Sequence, residues 1–135
     1  MSRRPTPQTL LRYGPAAVMT ALIPALSLLP SRFFSQVEAP LPPIPGLDKI
    51  VHALMYAALT AAYLHTLPVR KRANLGTVLC VALISAVFGL VMELCQKWLT
   101  TTRSMDPYDE LANATGALVC ALLAFAWARR VSINA

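Results

Sequence analysis

Four long apolar stretches, separated by short charged segments, limit this chain to a helical fold in a membrane. They cover residues 13–29, 50–67, 75–96 and 111–128, and contain 17, 18, 22 and 18 residues. As helices rising about 1.5 Å per residue they reach roughly 25–33 Å, close to the ~30 Å hydrocarbon core of a bilayer. The sequence therefore predicts an all-α polytopic membrane protein, a bundle of four transmembrane helices with short loops that forms one domain over residues 1–135.

Composition supports a lipid environment. Hydrophobic residues make up 56% of the chain and charged residues 13%, about half the charged fraction of an ordinary soluble domain. This excludes a disordered chain and argues against a water-soluble globule. The net charge is +6, but aromatic and basic residues are not interleaved, so we predict no nucleic-acid partner. Cys80, Cys95 and Cys120 lack CxxC spacing and are predicted to be packing residues, without a disulfide framework or a zinc site.

The first apolar stretch has two interpretations. Pro15, Pro24 and Pro30 are predicted to bend or end its helix. Because arginines precede the stretch, a secretory signal peptide is the alternative to a retained helix. No small-x-small cleavage pattern follows the apolar region, which favours the retained helix.

The distribution of basic residues predicts the orientation. Eight lie on one side of the four stretches and four on the other, where all six acids also lie at or near the ends of the stretches. Because cytoplasmic loops carry the excess of Lys and Arg, both termini are predicted to lie in the cytoplasm. The outer loop over 30–49 is rich in proline and is predicted to be an extended spacer. The inner set is Arg3, Arg4, Arg12, Arg70, Lys71, Arg72, Arg129 and Arg130; the outer set is Arg32, Lys49, Lys97 and Arg103.

Small residues recur at four-residue spacing in three of the stretches. Lipid gives no hydrophobic drive for helix association, so such stripes predict where helix backbones approach each other. The members are Ala53, Ala57 and Ala61 in the second stretch, Ser85 and Gly89 in the third, and Ala112, Gly116, Cys120, Ala124 and Ala128 in the fourth.

Polar residues within or beside the last three stretches fall on one face of each helix, near the ends predicted to face outward. Residues three or four apart share a helix face, and all three sets lie at a similar depth. They are therefore predicted to converge on one outward-facing pocket, with Lys49 and Arg103 at its rim. The sets are Asp48, His52 and Tyr56; Glu93 and Gln96; and Asp106, Asp109 and Asn113.

Several of these residues also have a purely structural interpretation. Asp48, Asp106 and Asp109 are suited to capping a helix, and we prefer the cap for Asp106 because a proline follows it. Gln96 and Asn113 are suited to hydrogen bonding between helices. Glu93 fits such an interpretation less well, because an acid inside a span costs roughly 2.5–3.5 kcal/mol at mid-membrane and needs a partner.

Three segments resemble the motifs of the VanZ-like membrane protein family: DKIVHALMY (48–56), ELCQ (93–96) and RSMDPYDELANATG (103–116). The family pattern has DK, H and Y on one helix, E and Q on the next, and R, D, N and G entering the last. The resemblance covers about 70 residues, and Cys120 stands where the family often has a second glycine. It implies a small polytopic membrane protein of the cell envelope, and the family's namesake is associated with resistance to the glycopeptide antibiotic teicoplanin.

Three functions are open at this point. The first, which the resemblance implies, is a module of the bacterial cytoplasmic (inner) membrane that binds a lipid-linked or amphiphilic cell-envelope ligand and contributes to teicoplanin resistance. The second is a membrane hydrolase or transferase acting on a polyprenyl-linked or phospholipid head group, and the third is a packing partner in a larger complex. The candidate ligand-binding residues are Asp48, Lys49, Tyr56, Gln96, Arg103 and Asn113.

The enzyme hypothesis assigns His52 as general base, with Glu93 or Asp109 orienting it or acting as the acid. It has a metal-dependent form in which the same three side chains are the ligands. Mixed imidazole and carboxylate ligation suits Zn²⁺ or Mn²⁺. No residue is an unmistakable nucleophile, so the binding module is preferred over the enzyme.

Overall fold

A computed structural model describes residues 6–28, 45–99 and 105–133 of the chain. These residues form five helices and no strand, which confirms the all-α class. Residues 30–44 of the predicted proline-rich spacer lie outside the described residues, as does Arg103, whereas residues 47–49 form the start of a helix, so the predicted spacer is wrong at that end. The helices are α1 (Pro7–Ser27), α2 (Leu47–His65), α3 (Val69–Arg72), α4 (Leu75–Leu99) and α5 (Pro107–Ile133).

The helix α1 is longer at its amino end than the apolar stretch predicted. It begins at Pro7, in the first turn, where a backbone N–H would have no partner within the helix and proline has none to satisfy. The Thr6 side chain caps the helix by accepting from the Thr9 backbone N–H at 3.3 Å. The helix continues through Pro15 and Pro24, so neither proline ends it as the sequence suggested. Membrane helices tolerate such prolines because neighbouring groups satisfy the freed carbonyls.

The other helix ends follow local capping chemistry. Gly46 precedes α2 with a φ of 76°, a left-handed conformation that favours glycine. The helix ends at His65, two residues before the predicted end, and Pro68 follows. The helix α3 in this connection was not predicted.

Asp106 caps α5 by accepting from the Tyr108 backbone N–H at 2.9 Å, which confirms the predicted cap. The helix starts at Pro107 and not at residue 111 as predicted.

The helix α2 lies at the centre of the packing. It contacts α5 most extensively and also packs against α1 and α4, while α4 packs against α5. Two clusters of buried apolar residues fill the interfaces. The first contains Leu64, Val78, Ala82, Ala117 and Ala121; the second contains Ile23, Tyr56, Leu59 and Met92.

Gly116 of α5 lies in close contact with the backbone of α2. A Cβ added at this position would overlap the backbone carbonyl of Ala53 in α2. The predicted small-residue stripe thus marks a real backbone contact, although its register is only partly right. Ala61 is exposed and Ala62 is buried in its place, because four-residue spacing drifts around a helix with about 3.6 residues per turn.

Three of the described helices, α1, α4 and α5, are long and apolar enough to cross a membrane. The surfaces of these helices expose large apolar side chains, such as Leu83 at 63% and Leu123 at 67% exposed, which need a lipid or protein cover. Cys80 is also exposed, so it is not the packing residue that was predicted. The chain is therefore a membrane protein with three candidate spans.

Candidate functional site

Charged and amide side chains from α2, α4 and α5 gather at the end of the bundle where α2 and α5 begin and α4 ends. We call this group the polar cluster. Two of its members, Glu93 and Asn113, are each only 1% exposed. The polar cluster consists of Asp48, Lys49, His52, Glu93, Asp106, Asp109, Glu110 and Asn113.

The three candidate catalytic residues lie together. His52, Glu93 and Asp109 each offer a ligand atom, and these atoms are all within 4.8 Å of one another. His52 Nε2 lies 3.8 Å from Asp109 Oδ2. The helices therefore bring these side chains to one point, as the shared helix faces predicted.

Asn113 determines how the imidazole of His52 is presented. Asn113 Nδ2 donates to Glu110 Oε2 at 3.3 Å, so the amide oxygen points the other way, to His52 Nδ1 at 3.1 Å. A carbonyl oxygen can only accept, so the proton in this contact lies on Nδ1. The Nε2 atom of His52 is then left facing Asp109.

Lys49 is the centre of an ion-pair network at the rim. Its ammonium donates to Asp48 at 2.8 Å, to Asp106 at 2.5 Å and to Asp109 at 2.6 Å. The ammonium of Lys49 holds the pKa of the Asp106 carboxyl below its usual range, with the Tyr108 backbone N–H adding to the effect. Lys49, which was predicted as a ligand-binding residue, is therefore already paired with carboxylates of the protein.

Asp106 connects three helices at this rim. Its carboxylate caps α5 and accepts from Lys49 of α2, while its backbone N–H donates to Glu93 Oε2 of α4 at 3.2 Å. Asp106 thus caps α5 and is also a member of the polar cluster. Glu93 has the partner that a buried acid in a membrane helix requires.

Gly89 makes room for the inner side of the polar cluster. A Cβ at this position would lie 2.8 Å from Glu110 Oε2, 3.1 Å from Asn113 Nδ2 and 3.1 Å from the ring of Tyr56. Tyr56 is 1% exposed and lies beneath the polar cluster. Glu110 was missed as a site residue, although its three-residue spacing from Asn113 was a usable signal.

Of the predicted site residues that the structure describes, Tyr56 and Gln96 are not members of the polar cluster. Gln96 is buried against α1, where its Nε2 donates to the Ser27 carbonyl at 3.1 Å. This bond joins α4 to α1, which is the structural role that we considered for Gln96. Arg103 lies outside the described residues. An open groove of about 1010 Å³ lies at the opposite end of the bundle, lined by residues such as Arg70 and Lys71, and contains no predicted site residue.

Comparisons with protein-family models, with curated proteins and with solved structures found no match for this chain. The chemistry of the site therefore rests on its geometry. The polar cluster offers carboxylate oxygens and one imidazole nitrogen at close range. Such a set can accept hydrogen bonds from hydroxyl and ammonium groups, transfer protons, or bind a cation.

Proposed function

We propose that the chain is a VanZ-like protein of the bacterial cytoplasmic membrane that binds a lipid-linked or amphiphilic cell-envelope ligand and contributes to teicoplanin resistance. The observation that carries this proposal is the polar cluster, in which Glu93 and Asn113 are each only 1% exposed. Polar groups inside membrane helices are costly and are associated with function. The resemblance of segments 48–56, 93–96 and 103–116 to the VanZ-like motifs suggests the ligand class.

In this proposal α2 is a fourth transmembrane helix. It has 19 residues, and it packs against α1, α4 and α5, which are the three candidate spans. Its charged residues Asp48 and Lys49 lie in the first turn, where headgroups and water are within reach. His52, one turn deeper, faces partners from α4 and α5.

The surroundings of the polar cluster suit a ligand with two kinds of chemistry. Its carboxylates are acceptors for sugar hydroxyls and ammonium groups. Exposed apolar side chains, Ile50 and Val51 of α2 and Leu111 of α5, flank it and would contact an acyl or polyprenyl chain. A lipoglycopeptide or a lipid-linked precursor of the cell wall carries both.

The orientation is tested by reporter fusions. Eight basic residues against four predict that both termini are cytoplasmic and that the polar cluster faces outward. A fusion after Arg72 should give cytoplasmic reporter activity, and so should one after Ala135, while a fusion near Pro43 should give external activity. The reverse pattern would place the polar cluster in the cytoplasm and would remove an external antibiotic as its ligand.

Ligand binding is tested with two matched histidine variants on α2. His52 belongs to the polar cluster, and His65 is exposed at the other end of the helix. Purified protein in lipid nanodiscs is titrated with teicoplanin and with its core lacking the acyl chain. His52→Gln should weaken teicoplanin binding about tenfold, the effect of one lost hydrogen bond to a charged group, and His65→Gln should leave it unchanged.

The acyl chain gives a second comparison. Removing it should weaken binding to the wild-type protein, because the flanking apolar side chains then lose their partner. Equal affinity of the two histidine variants and the wild-type protein would show that teicoplanin does not bind at the polar cluster. In a bacterial host, expression of the wild-type chain should raise the inhibitory concentration of teicoplanin more than expression of His52→Gln does.

The presentation of His52 supports a second candidate function. The Asn113 contact leaves Nε2 as the free imidazole nitrogen beside Asp109, which is the arrangement of an oriented general base. A membrane hydrolase or transferase acting on a polyprenyl-linked or phospholipid head group would use it. Incubation with such lipids should then release a head group with the wild-type protein and not with His52→Gln.

A further inference from the structure

We propose that His52, Glu93 and Asp109 bind a divalent metal ion at the centre of the polar cluster. Their ligand atoms lie within 4.8 Å of one another, and His52 Nε2 is 3.8 Å from Asp109 Oδ2. Ligands about 2.1 Å from a tetrahedral zinc ion lie roughly 3.4 Å apart. Small side-chain movements therefore suffice to bring the three atoms to coordination distance.

The hydrogen bonds to the far side of the His52 ring match those that orient metal-bound histidines. A ligating imidazole usually donates its other N–H to a carboxylate, a carbonyl or a water, which fixes the tautomer and the ring. Here Asn113 Oδ1 accepts from Nδ1, and Glu110 in turn orients the amide. The lone pair of Nε2 then faces carboxylate oxygens, an unfavourable contact unless a cation lies between them.

The charge of the polar cluster also favours a bound cation. It contains five carboxylates, and Lys49 is its one ammonium group among the described residues. Lys49 binds Asp109 through Oδ1, whereas Oδ2 faces His52. Asp109 can therefore keep its ion pair and still offer an oxygen to a metal. Glu93 is buried, and a divalent ion would compensate its charge along with that of Asp109.

The ligand set indicates the class of metal. Imidazole suits zinc and other transition metals, and carboxylates suit manganese, so one nitrogen and two carboxylates fit Zn²⁺ or Mn²⁺ better than Ca²⁺. Three protein ligands leave at least one position of a tetrahedral ion for water or for an incoming ligand. The inference shares its site with the proposed function, yet it rests only on these contacts.

Metal uptake by the purified chain tests the inference. The protein is freed of any histidine tag, stripped with chelator, dialysed against Zn²⁺ or Mn²⁺ in detergent and analysed for metal. We expect about one ion per chain for at least one of the two metals. Co²⁺ used as a probe should give a spectrum without cobalt–thiolate absorption, which separates this site from the cysteines. If neither metal is taken up stoichiometrically, the proposal is overturned, and a proton on His52 is then the cation between these groups.

Variants locate the site. His52→Ala and Glu93→Gln should each weaken metal binding at least tenfold, and Asn113→Ala should weaken it about 10–100-fold as a loss of support behind the ligand. His65→Ala is the matched control and should bind like the wild-type chain. Helicity by circular dichroism shows whether each variant is folded, and uptake that persists unchanged in folded His52→Ala would overturn the proposal. No antibiotic or lipid ligand is used in these measurements. The test of metal binding can therefore succeed where the test of teicoplanin binding fails, and it can fail where that test succeeds.

Discussion

Replacing Gly116 by alanine is expected to lower the thermal stability of the protein in detergent by roughly 5–10 °C, the effect of overpacking by about 1–3 kcal/mol. The added methyl group would overlap the backbone carbonyl of Ala53. Backbone atoms cannot rotate away as a flexible side chain can, so α2 and α5 would have to separate. The change is measured as the midpoint of thermal unfolding.

The matched control is Gly14→Ala in α1. Apart from its chain neighbours, a Cβ at Gly14 meets nothing within 4 Å. The preference of alanine over glycine in a helix, about 1 kcal/mol, offsets the crowding of this Cβ against the ring of Pro15. This variant should therefore lose much less stability than Gly116→Ala. Equal loss of stability in both variants would show that the contact between Gly116 and Ala53 does not hold α2 against α5.

Replacing Lys49 by methionine should lower the unfolding midpoint by roughly 5 °C, because it leaves the carboxylates that share this ammonium without a counter-charge. Asp109 is the most affected, since its side chain is only 17% exposed. The ion pairs of Lys49 with Asp48 and Asp106 are more accessible and contribute less. Raising the salt concentration should narrow the difference between variant and wild type.

Two further variants test this interpretation. Lys71→Met removes a lysine from the exposed helix α3 at the opposite end and should have no measurable effect. Adding Asp109→Asn to Lys49→Met should restore part of the lost stability, because the unpaired charge is then removed. If Lys49→Met unfolds at the wild-type temperature, the network at the rim contributes nothing to stability.

The sequence was sufficient to predict the four long helices and the meeting of His52, Glu93, Asp109 and Asn113. Hydropathy marks where a chain can lie in lipid, and residues three or four apart share a helix face. In a bundle, a polar face on a membrane helix turns towards other polar groups because lipid offers it no hydrogen bonds. These two constraints act locally and can therefore be read from spacing alone.

The remaining features depend on which helices are neighbours. Gln96 lies three residues after Glu93, yet it bonds to Ser27 because α1 packs on that side of α4. Glu110 follows Asp109 directly and would point about 100° away from it around the helix. It reaches the polar cluster because Gly89 of α4 leaves space there. The Gln96 contact is not encoded in the spacing of one helix, whereas the three-residue spacing of Glu110 from Asn113 was a signal that the prediction did not use.

The close contact of α2 and α5 continues beneath the polar cluster into an apolar core. This core contains Leu64, Val78, Ala117 and Ala121, each 0–1% exposed. Among the buried residues that the structure describes, Glu93 is the one with a carboxylate, so a proton or cation leaving the polar cluster along the bundle would find no second buried charged group to receive it. An isolated ion in such surroundings loses its hydration without compensation. The described helices can therefore hold several charges at one end of the bundle without offering a relay of charged groups to the other end.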